Sequence, residues 1–280
     1  MSGFFGTLAR EAFLQHALIG GLLASLGCGV VGTYVVAKRI SFVAGGVAHS
    51  VLGGMGIAYF LGASPLAGAL AAALVAALII GWVNLRWHQN EDTIIAALWA
   101  VGMAVGVLFI SRTPGYNADL MSYLFGNILM VSRADLYVMA ALDAVAILIV
   151  TLFSKQFLAV SFDPEFARVR GVRVEFFHLL LLCLVALTVV VLIQVVGLIL
   201  VLALLTLPAA IAAQYRARLV PIMALAIVLG MAFTGGGLAL SYAPDLPAGA
   251  TIILLAGTTY LFSLGARRLL SWHKTRRTRT

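Results

Sequence analysis

The chain has 280 residues, 63% hydrophobic and 10% charged, with a mean hydropathy of +1.10 and a formal net charge of +8. A soluble domain of that length cannot hide so much apolar surface, so the composition excludes a water-soluble fold and describes an all-α polytopic membrane protein. The positive charge then reads as a topology signal and not as a nucleic-acid signal.

About nine apolar segments reach the length that crosses a bilayer. They lie near 14–37, 43–61, 66–85, 93–111, 134–153, 176–194, 197–214, 220–241 and 248–265. Breakers at Gly62 to Pro65, Thr113–Pro114–Gly115 and Pro244 to Pro247 divide them. The sixth and seventh are separated only by Gln194–Gly197, so eight spans with a re-entrant piece is the alternative count. The whole chain, 1–280, reads as one transmembrane domain ending in a basic tail at 266–280. No removable signal peptide is read in the first thirteen residues. With nine spans and the C-terminus inside, 15 of the 18 Lys and Arg fall on the cytoplasmic side, and Arg10, Arg112 and Arg133 fall outside. The basic bias therefore expects an external N-terminus and a cytoplasmic tail that meets anionic lipid.

In the first span, Gly27 to Gly32 matches G-x-G-x-x-G letter for letter, but inside an apolar helix it signifies packing and not a nucleotide site. Cys28 and Cys183 lie in apolar runs and read as small packing residues. The second span holds VAGGVAHSVLGGMGIAY, residues 43–59. On a helix, Gly45, His49 and Gly53 share one stripe, with Gly46, Ser50 and Gly54 beside it. Such a stripe admits a second backbone or leaves room for a passing solute. An imidazole at that depth faces a bundle interior or a wet path, or else is hydrogen-bonded across an interface for packing alone.

In residues 86–92, RWHQNED, His88, Glu91 and Asp92 are conceivable metal ligands, but a solvated turn explains them better, with Asp92 placed to cap the following helix. The long connection from Ser111 to Arg133 is expected to be functional or to fold into a short surface helix. Asp143 is a second intramembrane charge; it lines a wet path or pairs with a polar neighbour. In SKQFLAVSFDPEFARVRGVRVE, residues 154–175, Asp163 and Pro164 fit an N-cap and first helical position. Glu165 and Arg168 follow the order the helix dipole favours, and Gly171 stops the helix. Pro208 lies inside the seventh span, where it bends the helix. Asp245 sits in a proline-stiffened loop, as a solvated carboxylate or a cation receiver. No Walker-type phosphate loop and no H-E-x-x-H occur.

Six stretches occur together and in order between about residues 38 and 256: KRISFVAGGVAHSVLGG, NEDTIIAALWAVGMAVGVLFI, TPGYNADLMSYLFGNIL, SFDPEFARVRGV, VVGLILVLALLTLPAAIA and DLPAGATIILL. In this the chain resembles the permease subunit of ABC importers for zinc and manganese. The resemblance implies a homodimeric permease in a bacterial or archaeal cytoplasmic membrane, served by two ABC ATPase subunits and an external metal-binding protein. It implies ATP-driven import of a divalent transition metal, with zinc placed first by the imidazole and manganese or iron behind it. It implies no permanently bound cofactor and no ATPase site of the chain's own. The element near 162–172, with Asp163, Glu165, Arg168 and Gly171, becomes the coupling helix for the ATPase. His49 and Ser50, with Asp143 and Asp245, become candidate path contacts, and Gly45, Gly53 and Pro208 packing or path-lining positions. Many relatives carry an aspartate four residues before the histidine, where this chain has Gly45. The alternatives are a stand-alone metal channel or secondary carrier, and an intramembrane enzyme built on His49 and Asp143.

Overall fold

The computed structural model describes residues 2–86, 91–113, 126 and 128–277. Twelve α-helices account for nearly all of these: α1 (Ser2–Arg10), α2 (Ala12–Ala37), α3 (Ser41–Phe60), α4 (Pro65–Arg86), α5 (Glu91–Ser111), α6 (Arg133–Leu152), α7 (Ser154–Phe162), α8 (Pro164–Val169), α9 (Val174–Val196), α10 (Leu198–Tyr215), α11 (Leu219–Tyr242) and α12 (Ala248–Arg277). Helices satisfy their own backbone groups, which a bilayer core demands. Nine of the described helices are long and apolar enough to span: α2 to α6 and α9 to α12. α1 is not resolved by the sequence reading; Tyr242 at the end of α11 donates to Thr7 in it at 2.9 Å.

The spans are apolar all round, so small residues decide which faces meet. α2 and α3 are each 72% buried, whereas α5 is 11% buried. α2 is central because its glycines admit neighbours. A side chain at Gly29 would meet the backbone of Ile227 in α11 at 2.9 Å, and one at Gly32 would overlap the Leu205 carbonyl of α10. The G-x-G-x-x-G letters are thus helix contacts. Ser25 of α2 and Thr234 of α11 lie 3.1 Å apart, hydroxyl to hydroxyl, in the same seam.

α9 and α10 are separate helices. Gly197 joins them at φ 81°, ψ 162°, a conformation essentially confined to glycine, so the described spans number nine and the eight-span alternative falls. Gly126, with φ 67°, packs directly on the Val196–Gly197 peptide. The connection before α6 ends in a 3-10 turn at Ile128–Met130 and a capping box. There the Asp135 amide donates to the Ser132 hydroxyl at 3.2 Å and the Ser132 amide to the Asp135 carboxylate at 3.0 Å. The surface helix expected between Ser111 and Arg133 falls on 114–125 and 127, outside the described residues, as does His88. Asp92 is not a cap: α5 already begins at Glu91, which puts Asp92 in its first turn.

α7 and α8 bridge α6 to α9. The Asp163 carboxylate accepts from the Phe166 amide at 2.9 Å, Pro164 is the first helical residue, and Gly171 turns the chain at φ 78°. Ala167 packs inward on Val160 and Val174, leaving Phe166 and Val169 exposed. Arg168 forms an ion pair with Glu175. α10 continues unbroken through buried Pro208, and α12 runs on through the first part of the basic tail to Arg277.

Candidate functional site

His49 sits near the middle of α3, and α5 builds its surroundings. The imidazole stacks flat on the Trp99 indole, with ring centroids 3.9 Å apart and planes 11° from parallel. It is partly buried, and its Nδ1 is buried without a hydrogen-bond partner among the described residues. The stripe around it is closed by neighbours. A side chain at Gly53 would come within 2.8 Å of the Gly102 carbonyl, and one at Gly56 within 2.7 Å of the Gly106 carbonyl. Gly46 is covered by Ile95, and Gly54 and Gly68 meet backbone to backbone. Of the two meanings of the small-residue stripe, close helix approach holds for these positions. At Gly45 the nearest neighbour is again Trp99, whose Cζ3 would lie 3.8 Å from an added Cβ. One indole therefore borders both the histidine and the glycine one turn before it.

Ser50 is buried and its hydroxyl is engaged: the Gly46 carbonyl lies 2.8 Å away and the Leu98 carbonyl of α5 lies 3.3 Å away. The shorter contact stays within α3 and the longer one reaches across to α5. No three His, Cys, Asp or Glu side chains among the described residues converge as a metal-holding group. What the site offers a cation is one imidazole with a nitrogen free of partners among the described residues, on a wall of glycine and indole.

Asp143 belongs to a different place. It lies near the middle of α6, 2% exposed, with Oδ1 filling the space that a side chain at Gly27 would need. The Thr188 side chain of α9 borders the same space. The polar partner expected for Asp143 is absent: both carboxylate oxygens and the Thr188 hydroxyl are buried without partners among the described residues. His49 and Asp143 are thus framed by different helices, α5 for the first and α2 with α9 for the second. Asp245 is exposed at the α11–α12 turn, at φ 54°.

Three residues escape the sequence reading. Trp99 lies in a uniformly apolar span with nothing to mark which way it faces. Lys38 enters only as a topology charge, yet its Nζ lies 3.2 Å from Nδ1 of His178 and 3.4 Å from the Val160 carbonyl. His178 is 6% exposed near the start of α9; a titratable residue just inside an apolar run is the signal that would have found it.

Comparison with known proteins adds the following. The ABC 3 transport family profile matches residues 10–267. An uncharacterized membrane protein of Synechocystis is 50% identical over 256 residues, covering 91% of this chain and 91% of its own. The manganese transport system membrane protein MntC of Halalkalibacterium halodurans is 35% identical over 257 residues, covering 92% and 88%. The solved structure of PsaBC from Streptococcus pneumoniae in complex with Fab aligns with a TM-score of 0.84 at 32% identity, covering 94% of each chain.

Proposed function

The chain belongs to the ABC 3 transport family, and from that premise we propose that it is the permease subunit of an ATP-driven importer of divalent manganese or zinc. The observation that carries the metal reading is His49, an imidazole near the middle of a spanning helix whose Nδ1 has no partner among the described residues and whose ring is held against Trp99. Neutral imidazole is a borderline ligand that suits zinc, while relatives named for manganese support that ion equally. A single imidazole per protomer gives a transient contact, which is what passage needs; a closed tetrahedral site would retain the ion. Two protomers related by a two-fold axis would bring two such imidazoles to one path.

In this proposal the permease is a homodimer in the cytoplasmic membrane with an external N-terminus. Two ABC ATPase subunits act from the cytoplasm, and an external metal-binding protein delivers the ion. α8 is the coupling helix: it is capped at both ends, and Phe166 and Val169 stand exposed for a partner. The test is uptake of radioactive manganese and zinc into liposomes holding the permease and its ATPase. ATP-dependent uptake of either ion, lost in His49→Ala, is expected. Uptake that runs equally without the ATPase would replace the proposal with a stand-alone channel or carrier.

A further inference from the structure

A cavity of about 790 Å³ opens at the end of the bundle that holds α7 and α8. Its lining brings together the α2–α3 turn (Lys38, Arg39), the α8 segment (Asp163, Glu165) and His178 of α9. Lys38 crosses between these parts. It caps the C-terminus of α2, and its ammonium reaches both the Val160 carbonyl of α7, at 3.4 Å, and Nδ1 of His178, at 3.2 Å. Lys38 has no carboxylate within ion-pair distance among the described residues, although Asp163 and Glu165 line the same cavity. Burial holds its ammonium below the usual lysine range. Both of its acceptors are neutral, and both distances are at the long end for a hydrogen bond. Such a contact holds a position yet is weak enough to be remade in a second position.

The surrounding apolar packing makes the contact directional. α7, α8 and the start of α9 are one unit, joined by Val160, Ala167 and Val174. α2 grips that unit through Tyr34, whose ring lies 5.7 Å from Phe157, and Phe157 in turn lies 5.8 Å from Phe177. Directly after Lys38, Arg39 takes φ 58°, an unfavourable value for a residue with a side chain, and α3 begins at Ser41. A shift of the α7–α8 unit therefore pulls on Lys38, and only Arg39 and Ile40 separate it from the helix that carries His49. A strained residue between two helices is where a rotation is absorbed.

We propose that Lys38 is the positioning residue that passes movement of the α7–α8 unit to α3, so that ATPase action at α8 reorients the imidazole of His49. This rests on the reading of α8 as the ATPase-docking helix. Lys38 touches no metal in this account; it acts through the α2–α3 turn.

The experiment uses the full permease–ATPase complex in liposomes, with manganese and zinc as probes. Assembly, basal ATP hydrolysis and metal imported per ATP are measured side by side. Lys38→Met should leave assembly and basal hydrolysis unchanged and lower metal imported per ATP about tenfold, the scale on which one charged hydrogen bond acts. Lys38→Arg, which keeps the donors, should restore most of the import, and His178→Gln, which keeps an acceptor, should stay near wild type. Import per ATP at the wild-type level in Lys38→Met would overturn the proposal. So would a parallel fall of assembly, hydrolysis and import that Lys38→Arg fails to restore, since that describes a structural pin. If Lys38→Met does not assemble, His178→Leu takes its place, and full import per ATP in that variant counts against the proposal. The underlying reading is tested apart, by the Glu165→Ala, Arg168→Ala double variant. Normal ATPase binding there removes the docking role of α8, whereas lost binding with a fully coupled Lys38→Met removes only the role of Lys38.

Discussion

On the proposed function His49 is the residue that meets the cation, and its surroundings separate two meanings. If the imidazole contacts the ion, its loss should matter more than the loss of a supporting group, and removing an outer-shell partner alone costs about tenfold or more in metal sites. His49→Ala should therefore cut uptake at least about tenfold in a complex that still assembles. His49→Asn and His49→Gln should be nearly as poor, because an amide replaces a hydrogen bond but is a weak ligand. Normal uptake in the amide variants would assign His49 to packing against Trp99. The histidine was visible in the sequence as a titratable group in an apolar run. Its partner was not, because α5 is apolar on every side and its rotation leaves no periodic trace. The same blindness applied to Asp143, which has no partner among the described residues and whose space is framed by Gly27 and Thr188, residues from two distant spans.

At the scale of elements, glycine conformation separates helices that hydropathy merges. Gly197 alone divides α9 from α10, and its φ and ψ lie where a Cβ is not tolerated. Gly197→Ala should destabilise the permease by roughly 1–3 kcal/mol, read as a lower Tm in detergent, with little change in the far helices. An unchanged Tm would mean that the junction relaxes into another conformation. Run lengths in the sequence located both helices but gave no decision at the junction, since no charged loop intervenes. α8 was more legible, because caps and dipole charges are local: Asp163, Pro164, Glu165 and Gly171 lie within one short stretch. The docking role proposed for α8 concerns a surface outside this chain and is read by a binding measurement. Replacing Glu165 and Arg168 together by alanine should reduce copurification of the ATPase while the permease stays inserted; full copurification would leave α8 as a structural connection.

For the whole molecule, the proposed orientation rests on where the cations fall, and with the nine described spans it would put the two termini on opposite sides. A reporter fused after Thr280 should report cytoplasm, and cysteines placed between Ser111 and Arg133 should react with an impermeant reagent added outside intact cells. Reaction only after permeabilisation would reverse the arrangement. The sequence carried the span positions well because each must be about 20 residues long and free of charge. It did not carry which span is central. α2 holds that place through backbone approaches at Gly29 and Gly32 that no composition reveals.

The central position of α2 has a consequence for biosynthesis. α2 leaves the ribosome long before α10 and α11, which carry Leu205, Ile227 and Thr234, the residues that close on it. An unfinished α2 must therefore wait in lipid for most of the time of translation. Its surface suits the wait. Glycines expose nothing that lipid rejects, and the Ser25 hydroxyl donates to the Gly21 carbonyl of its own helix at 2.7 Å. The group that later meets Thr234 is thus already satisfied before its partner is made. A polar side chain in the same seam without that local bond would leave the nascent helix open to capture by the wrong neighbour.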